Sequence, residues 1–382
     1  MRILIAHNAY QQTGGEDMVA ASEAALLQGH GHTVEIYARN NDEIEGMSRL
    51  TLAQDTLWSG RTVADVGRLI QELRPDVIHV HNTFPLISPS LYWAAERAEV
   101  PLVQTLHNFR LMCLNALFLR DGKVCEDCMG HLPWRGVVRK CYRGSRATSL
   151  ALAGMLTLHR GLGTYRNKVA RYIALNGFCR DKFIEGGLPA DRVVVKPNFV
   201  DLAAPQPALR AGFLFVGRLS VEKGVATLAA AMARLHDVQL RVAGDGPEAG
   251  LLDGVAAVTR LGSLPGEAVR QEMGRAVALV VPSICYENFP RTIAEAFACG
   301  LPVIASRIGA LADIVRDGKT GLLFEPGNPQ DLADKLAWAQ AHPEEMAAMG
   351  RNARTQYEAE FSAEVNYRRL MEIYDGVLAE RR

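Results

Sequence analysis

Residues 213–224 read Phe-Leu-Phe-Val-Gly-Arg-Leu-Ser-Val-Glu-Lys-Gly. The four apolar residues predict a buried strand, Gly217 predicts a tight turn, and two cations, Arg218 and Lys223, follow before a helix begins. In a doubly wound sheet, ligands lie beyond the carboxyl ends of the strands. A guanidinium and a mobile ammonium at that position suit phosphate oxygens, and a strand-end salt bridge is the alternative interpretation.

Short apolar runs alternate with helical segments in both halves of the chain, which is typical of parallel sheets covered by helices. We predict eight strands, at residues 3–6, 34–37, 77–80, 102–105, 213–216, 239–242, 278–281 and 302–305. The fold class is therefore α/β, with two Rossmann-like doubly wound parallel-sheet domains facing a cleft.

The domain limits follow from a proline-rich, weakly periodic segment at residues 196–210, which we interpret as a linker. An N-terminal, acceptor-side domain takes residues 1–195 and contains a cysteine-bearing insert at about 110–145. A donor-binding domain takes residues 211–360. We expect a final helix at 361–382 to pack back on the N-terminal domain.

Composition excludes several classes of protein. The chain has 382 residues, 22% of them charged, and a formal net charge of zero, so any electrostatic preference must be local. No apolar run approaches the roughly 20 residues that span a bilayer. The apolar start is too short for a signal peptide, so we expect a cytoplasmic chain in which seven cysteines do not build a disulfide framework.

Two further motifs in the second half contribute to the same predicted site. Gly244-Asp245-Gly246 ends a strand in a turn that lets a base or phosphate approach the backbone. Glu287 lies in a loop after another strand, and Glu295 lies in the helix that Pro290 helps to begin. The two glutamates are spaced to accept hydrogen bonds from the hydroxyl groups of a sugar and a ribose.

In the first half, Gly14-Gly15 opens a helix after the first strand, so its amides can face a phosphate or sugar; a flexible turn is the alternative. His107 lies at the end of another predicted strand, a position open to a functional role, although a lone histidine is more often structural. For His81, lining of a cleft is favoured over a place in the core. The first strand lacks Gly-x-Gly-x-x-Gly, which argues against a Rossmann NAD enzyme.

These motifs, followed by Gly300-Leu301-Pro302 and Asp317-Gly318-Lys319, resemble the family 4 glycosyltransferases, the retaining group 1 enzymes of the GT-B fold, over residues 213 to 375. The resemblance implies Arg218 and Lys223 on the diphosphate of a nucleotide sugar, with Glu287 and His107 at the donor sugar and Glu295 on the ribose. It also implies retention of anomeric configuration. The chain departs from the family at Asn288-Phe289-Pro290, where Gly-Phe-Gly is usual, so the donor sugar and the nucleotide base (UDP or GDP) stay open.

The sequence contains no Asp-x-Asp motif for a catalytic metal, and we predict metal-independent transfer with cations at the diphosphate. Four cysteines in the insert have the ligand number and chemistry of a structural zinc site, and redox thiols or reduced packing residues are the alternatives. They are Cys113, Cys125, Cys128 and Cys141, and the residues from Phe118 to Val124 within the insert have the pattern of a hairpin.

From Met129 to Cys179 the chain contains no acidic residue, while basic and aromatic residues recur. This stretch suggests a face toward an anionic membrane or a phosphorylated acceptor, and a solvated helical surface is the alternative. We expect the acceptor to be a glycan or polyprenyl-linked oligosaccharide of surface polysaccharide synthesis, reached at the inner face of the cytoplasmic membrane. A small soluble acceptor is the alternative within this class. A zinc-stapled nucleic-acid-binding protein is the alternative from another class; zero net charge and the complete donor motifs argue against nucleic acid.

Overall fold

In the computed structural model, which describes residues 1–11, 14–203 and 209–380, the chain forms two compact units. The N-terminal unit contains Met1–Leu117, Glu126–Pro197 and Asn366–Arg382, and the C-terminal unit contains Phe118–Cys125 and Asn198–Val365. Each unit is built on one six-stranded sheet. The predicted α/β class with two parallel-sheet domains is therefore confirmed.

All strand pairs of the N-terminal sheet are parallel, and the strand order is β2-β1-β3-β4-β7-β8. The hairpin β5–β6, predicted from the sequence between Phe118 and Val124, forms a separate antiparallel pair within the segment that belongs to the C-terminal unit. The strands are β1 (Arg2–Ala9), β2 (Thr33–Asn40), β3 (Val77–Asn82), β4 (Leu102–Thr105), β5 (Leu119–Arg120), β6 (Lys123–Val124), β7 (Arg171–Ala174) and β8 (Val193–Val195).

Helices alternate with these strands, and several begin at side chains that cap them. Ser59, Ser145 and Asn176 each accept a backbone amide of the first turn, which satisfies a donor that the helix leaves unpaired. The helices are α1 (Gly15–Gly29), α2 (Arg49–Leu57), α3 (Gly60–Leu73), α4 (Ser90–Arg97), α5 (Trp134–Val138), α6 (Arg146–Gly161), α7 (Thr164–Asn167) and α8 (Gly177–Glu185).

The C-terminal sheet is also parallel throughout, with the order β11-β10-β9-β12-β13-β14. Its strands are β9 (Phe213–Val216), β10 (Leu240–Ala243), β11 (Val258–Gly262), β12 (Ala278–Val281), β13 (Val303–Ser306) and β14 (Gly321–Phe324). Its helices are α9 (Val225–Met232), α10 (Gly266–Arg275), α11 (Arg291–Ala298), α12 (Gly309–Ile314), α13 (Pro329–Ala341) and α14 (Pro343–Glu360).

The last helix, α15 (Ala363–Ala379), contributes to the core of the N-terminal unit. Its buried residues Leu370, Tyr374 and Val377 pack in one cluster with Ile3 and Ile5 of β1. Burial of such side chains contributes roughly 1.5–3 kcal/mol each. The end of the chain therefore completes a core that its first strand begins.

The predicted linker has two different parts. Lys196 is buried at 1% exposure, and Phe199 and Val200 are buried as well, so this end is packed. Residues 204–208 lie outside the described residues. No helix in the described part of the chain combines the length and apolar character that crossing a membrane requires.

Candidate active site

The order of the C-terminal sheet fixes where a ligand would lie. β9 has β10 on one side and β12 on the other, so the chain runs outward in opposite directions from this point. In doubly wound sheets the loops that follow the two strands at such a reversal leave a crevice between them, which is the usual ligand position. The loop after β9 contains Arg218 and Lys223, and the loop after β12 contains Glu287.

Lys223 and Glu287 join these two loops directly. Lys223 Nζ lies 2.6 Å from Glu287 Oε1, which also accepts a hydrogen bond from Ser283 Oγ at 2.8 Å. Burial opposes the charge on each group, but the ammonium of Lys223 lowers the pKa of Glu287 and the carboxylate raises the pKa of Lys223. Both groups are therefore ionised at neutral pH. Ser283, at 1% exposure, is a site residue that the sequence prediction missed.

The backbone holds the same two loops together. Gly224 has φ +70°, and a Cβ on it would lie 1.9 Å from the carbonyl oxygen of Pro282. Ile284 N donates a hydrogen bond to the carbonyl oxygen of Glu222 at 3.0 Å. Only a glycine tolerates that approach, so the position of Lys223 is set by packing as well as by charge.

Arg218 is the second predicted cation, and its side chain is exposed. Within the described part of the chain its guanidinium forms neither a hydrogen bond nor an ion pair. An unpaired guanidinium presents donors in a planar fork that matches two phosphate oxygens. Arg218 is therefore available to an anion without first breaking an internal bond.

The turns after β9 and β10 interlock through their glycines. A Cβ on Gly244, which has φ +145°, would lie 1.9 Å from the carbonyl oxygen of Gly217. Leu219 N donates to the carbonyl oxygen of Asp245 at 2.9 Å, and Gly246 N donates to Asp245 Oδ1 at 2.8 Å. The predicted glycine turns thus form one closely packed backbone surface beside Arg218.

Helix α11 begins one residue later than the sequence suggested, because Pro290 is its N-cap and Arg291 its first residue. Glu295 lies 3.3 Å from Arg291 Nη2. Burial raises the pKa of Glu295, and Arg291 offsets only part of this effect. Asn288 is buried, and the ring of Phe289 packs edge-on against Phe361 at 5.5 Å between centroids.

In the N-terminal unit, Gly14 caps α1 and Gly15 is its first residue. Asp17 Oδ2 accepts the backbone amide of Gly14 at 2.6 Å, and Asp17 Oδ1 lies 2.7 Å from His7 Nε2. The first of the two predicted amides therefore already has a partner. A Cβ on Gly15 would meet nothing within 4 Å, so the space above this residue is open.

His107, half-buried after β4, contacts a second histidine. Its Nε2 lies 2.9 Å from His81 Nδ1, and the two rings stack with centroids 5.1 Å apart. Burial lowers the pKa of both, that of His81 to about 4, so both are neutral at physiological pH. His81 is only 3% exposed within strand β3, but it lines a small cavity together with His107 and Arg110, and its place in a cleft stays a prediction.

One group of described residues has ligand atoms spaced as for a metal: Glu23, His79 and His81, within 4.8 Å of one another. Glu23 Oε2 lies 2.7 Å from the ammonium of Lys196, and His79 is bonded on both ring nitrogens, to Tyr374 and Thr105. A neighbouring ammonium disfavours a cation at the same carboxylate. The group is therefore a buried ion pair with hydrogen-bonded histidines, and the sequence prediction missed Glu23, His79 and Lys196.

The four cysteines predicted to bind zinc do not all belong to the same compact unit. Cys113, Cys128 and Cys141 belong to the N-terminal unit, and Cys125 ends the segment Phe118–Cys125 of the C-terminal unit. Cys113 is buried and its Sγ lies 2.9 Å from Asn115 Oδ1, while the other three are partly exposed. The zinc site stays a prediction.

Two family models match the chain. The model described as Glycosyltransferase Family 4 matches residues 13–204, and the model described as Glycosyl transferases group 1 matches residues 210–341. The fold, with parallel strands in each unit and a reversal of strand order at β9, agrees with this assignment. The chain therefore belongs to family 4 of the glycosyltransferases, which confirms the resemblance described above.

Curated relatives show different extents of similarity. The alpha-maltose-1-phosphate synthase of Mycolicibacterium smegmatis is 32% identical over 340 residues, 83% of this chain and 83% of that protein. The sulfoquinovosyl transferase of Arabidopsis thaliana is 34% identical over 152 residues, 38% of this chain. The chain spans only 29% of the length of that transferase, and 33% and 47% of two uncharacterised glycosyltransferases of Methanocaldococcus jannaschii.

Solved structures share the fold over nearly the whole chain. The sucrose-phosphate synthase of Thermosynechococcus elongatus has a TM-score of 0.73 at 20% identity and covers 99% of each chain. Anabaena HepE in complex with UDP has a TM-score of 0.70 at 20% identity, covering 98% of this chain and 100% of that chain. These neighbours confirm the GT-B glycosyltransferase fold.

The interlocked turns give a test of the candidate site. Gly244→Ala should destabilise the C-terminal unit by about 2 kcal/mol and remove its thermal stabilisation by UDP or GDP, because the new Cβ displaces the Gly217 turn. Gly254→Ala is the matched control, since Gly254 also has a positive φ, of +77°, but its Cβ would meet nothing within 4 Å. Differential scanning fluorimetry with and without nucleotide measures both effects; equal behaviour of the two variants would contradict the interlock.

Proposed function

We propose that this chain is a retaining glycosyltransferase that moves a sugar from a UDP- or GDP-sugar to a glycan or lipid-linked oligosaccharide of surface polysaccharide synthesis. The observation that carries the proposal is the arrangement of cations where the strand order reverses. There, Lys223 is held by Glu287 while the guanidinium of Arg218 has no partner within the described residues. Two cations at that position suit the diphosphate of a nucleotide sugar.

Different side chains would bind the diphosphate and the ribose of the donor. An ammonium has three donors, and Glu287 accepts from one of them, so Lys223 keeps donors for phosphate oxygens. Arg218 would add a two-pronged contact to the same diphosphate. Glu295, whose raised pKa reflects a poorly solvated carboxylate, would accept the ribose hydroxyls. Family membership supports these roles, and we propose that Glu287 and His107 contact the donor sugar.

Transfer would proceed without a catalytic metal. The bond between the sugar C1 and the diphosphate oxygen breaks, the acceptor oxygen bonds to C1 on the same face, and its proton passes to the departing diphosphate. Negative charge grows on that diphosphate, and Arg218 and Lys223 stabilise it where a metal ion could otherwise act. Retention follows from attack on the face that the leaving group vacates.

A basic patch of the N-terminal unit supports an acceptor at an anionic membrane surface. We define the basic patch as Arg135, Lys140, Arg143 and Arg146, four exposed residues that form no ion pair within the described part of the chain. Trp134 and Val138 are 44% and 69% exposed, one helical turn apart on α5. Cations beside exposed apolar side chains favour binding to the cytoplasmic face of a membrane.

A small soluble acceptor is the second candidate, because two relatives have sugar or cyclitol phosphates in their names. They are the alpha-maltose-1-phosphate synthase and the D-inositol 3-phosphate glycosyltransferase of Mycolicibacterium smegmatis, the latter 28% identical over 319 residues. The basic patch could also bind such a phosphate. Vesicle binding and acceptor assays separate the two candidates.

A structural zinc ion is a further part of the proposal. Four thiols match the number and kind of ligands in closed zinc sites, and Cys125 and Cys128 have the two-residue spacing that such sites use. When bound, zinc would supply cross-linking of the insert and no chemistry of transfer.

The donor proposal is tested with a panel of UDP- and GDP-sugars in the presence of EDTA, with products read by mass spectrometry and their anomeric configuration by NMR. We expect turnover of one donor with retention. Arg218→Gln should lower kcat about 100-fold without lowering stability, because it removes charge stabilisation from the transition state. Arg351→Gln, an exposed arginine elsewhere, is the control. Consumption of no nucleotide sugar would overturn the proposal, and rescue by Mg²⁺ after EDTA would overturn metal independence.

The membrane proposal is tested by sedimentation with vesicles of phosphatidylcholine and phosphatidylglycerol at low salt. Replacing the four residues of the basic patch by Gln should weaken binding by at least about tenfold, since each cation near an anionic surface contributes about 1 kcal/mol. The control replaces four other exposed cations, Arg49, Lys319, Arg351 and Arg368, and so changes the net charge equally. Wild-type protein that stays in the supernatant, with transfer to a soluble sugar phosphate, would favour the second candidate.

The zinc proposal is tested by native mass spectrometry of the whole chain. We expect one bound zinc in the wild type, its loss in Cys128→Ser, and its presence in Cys299→Ser, which changes a buried cysteine outside the insert. Since each thiolate ligand contributes to closure of the site, the first variant should also melt at a lower temperature. A folded wild type without metal would exclude this site.

A further inference from the structure

Four polar side chains form a chain through the core of the N-terminal unit and end at His107. Lys196 Nζ lies 2.7 Å from Glu23 Oε2, Glu23 Oε1 lies 3.4 Å from His81 Nε2, and His81 Nδ1 lies 2.9 Å from His107 Nε2. Lys196 and Glu23 are each only 1% exposed.

The charged end of the chain is held in place on several sides. Lys196 Nζ also donates to Asn366 Oδ1 at 3.1 Å, and Asn366 Nδ2 donates to the carbonyl oxygen of Pro197 at 2.7 Å. Burial opposes ionisation of Glu23, but Lys196 and His79 hold the pKa of its carboxyl well below the usual range. The carboxylate is therefore ionised at neutral pH, and its Oε1 lies 2.9 Å from His79 Nδ1 and 3.4 Å from His81 Nε2.

Neutral histidine carries one ring proton, and the neighbours decide which nitrogen holds it. Within the described residues, His81 Nε2 forms no hydrogen bond of standard geometry, and the carboxylate oxygen Glu23 Oε1, at 3.4 Å, is the acceptor that lies near it. A proton on Nε2 faces that negative charge, and Nδ1 then has a lone pair. His81 Nδ1 can accept only if His107 donates from Nε2, which leaves the lone pair of His107 on Nδ1.

We infer that Lys196, Glu23 and His81 are positioning residues that hold His107 as the Nε2–H tautomer with its Nδ1 presented as a hydrogen-bond acceptor. Such an acceptor would orient a hydroxyl group of the donor sugar, and this part of the inference rests on the proposed function. The tautomer itself follows from the contacts within the N-terminal unit and does not depend on that function.

Stability alone does not account for this arrangement. A buried ion pair often contributes no more than apolar residues of the same volume would, because removing both charges from water is costly. Its effect on a neighbouring neutral ring is different, since the fixed charge selects one tautomer of His81 and through it one of His107. The network therefore has a consequence for the ring of His107.

Two substitutions at His81 separate the hydrogen bond from the packing. His81→Phe keeps a ring stacked on His107 but removes the acceptor, whereas His81→Asn supplies Oδ1 near the position of Nδ1. NMR of the full chain labelled with ¹⁵N-histidine reports the tautomer of His107, which is assigned with His107→Gln. We expect the Nε2–H tautomer in the wild type and in His81→Asn, and a mixture in His81→Phe.

A paired substitution tests the charged end. Glu23→Leu with Lys196→Met removes both charges together, so that neither is left unpaired in the core. We expect His107 to become a mixture of tautomers here as well. If this variant or His81→Phe does not fold, the wild-type spectrum still decides, because the Nδ1–H tautomer of His107 would overturn the inference. An unchanged tautomer in either folded variant would overturn it too.

Kinetics then connect the tautomer to the reaction. With the donor identified in the panel, His81→Phe should lower kcat about tenfold, which corresponds to one hydrogen bond, and His81→Asn should restore most of it. Unchanged kcat in a variant with mixed tautomers would overturn the role at the sugar while the tautomer assignment stands. A chain that consumes no nucleotide sugar would overturn the proposed function, and the NMR result would still test the positioning.

Discussion

The ion pair between Lys223 and Glu287 connects two loops whose residues are 64 positions apart in the sequence. The contact between Gly224 and the carbonyl of Pro282 fixes the same two loops through the backbone. The position of the ammonium is therefore fixed by contacts within the C-terminal unit. Such preorganised charge is the main way in which enzymes stabilise a leaving group. The interlocked glycine turns and the exposed guanidinium of Arg218 lie beside these two loops.

The strands were predictable where they are central and apolar. All eight predicted strands are present, with ends that differ by at most three residues, because runs such as Phe213–Val216 are buried on both faces. Four strands were missed. Val258–Gly262 is an edge strand with no fully buried residue, and Val193–Val195 is an edge strand beside the predicted linker. The first lacks a continuous apolar run, and the run of the second is only three residues long.

The site was predictable to the extent that its signals are local. Glycines, cations and glutamates near strand ends stand out in the sequence because turns and phosphate contacts need particular residue types at short spacing. The network around His107 has no such signal. Lys196 lies 173 residues from Glu23, and Tyr374 lies 295 residues from His79. Two histidines on a buried strand were visible as a pattern, but their partners depend on tertiary packing.

The return of α15 to the core of the N-terminal unit has a consequence for synthesis on the ribosome. That core lacks Leu370, Tyr374 and the Asn366 partner of Lys196 until the last helix emerges. At usual rates of translation, the residues between Pro197 and Asn366 take roughly ten to thirty seconds to make. During this interval the first sheet has an uncovered apolar face, while the C-terminal unit can already fold. The apolar face of the N-terminal sheet would then be the part of the nascent chain that needs protection from aggregation.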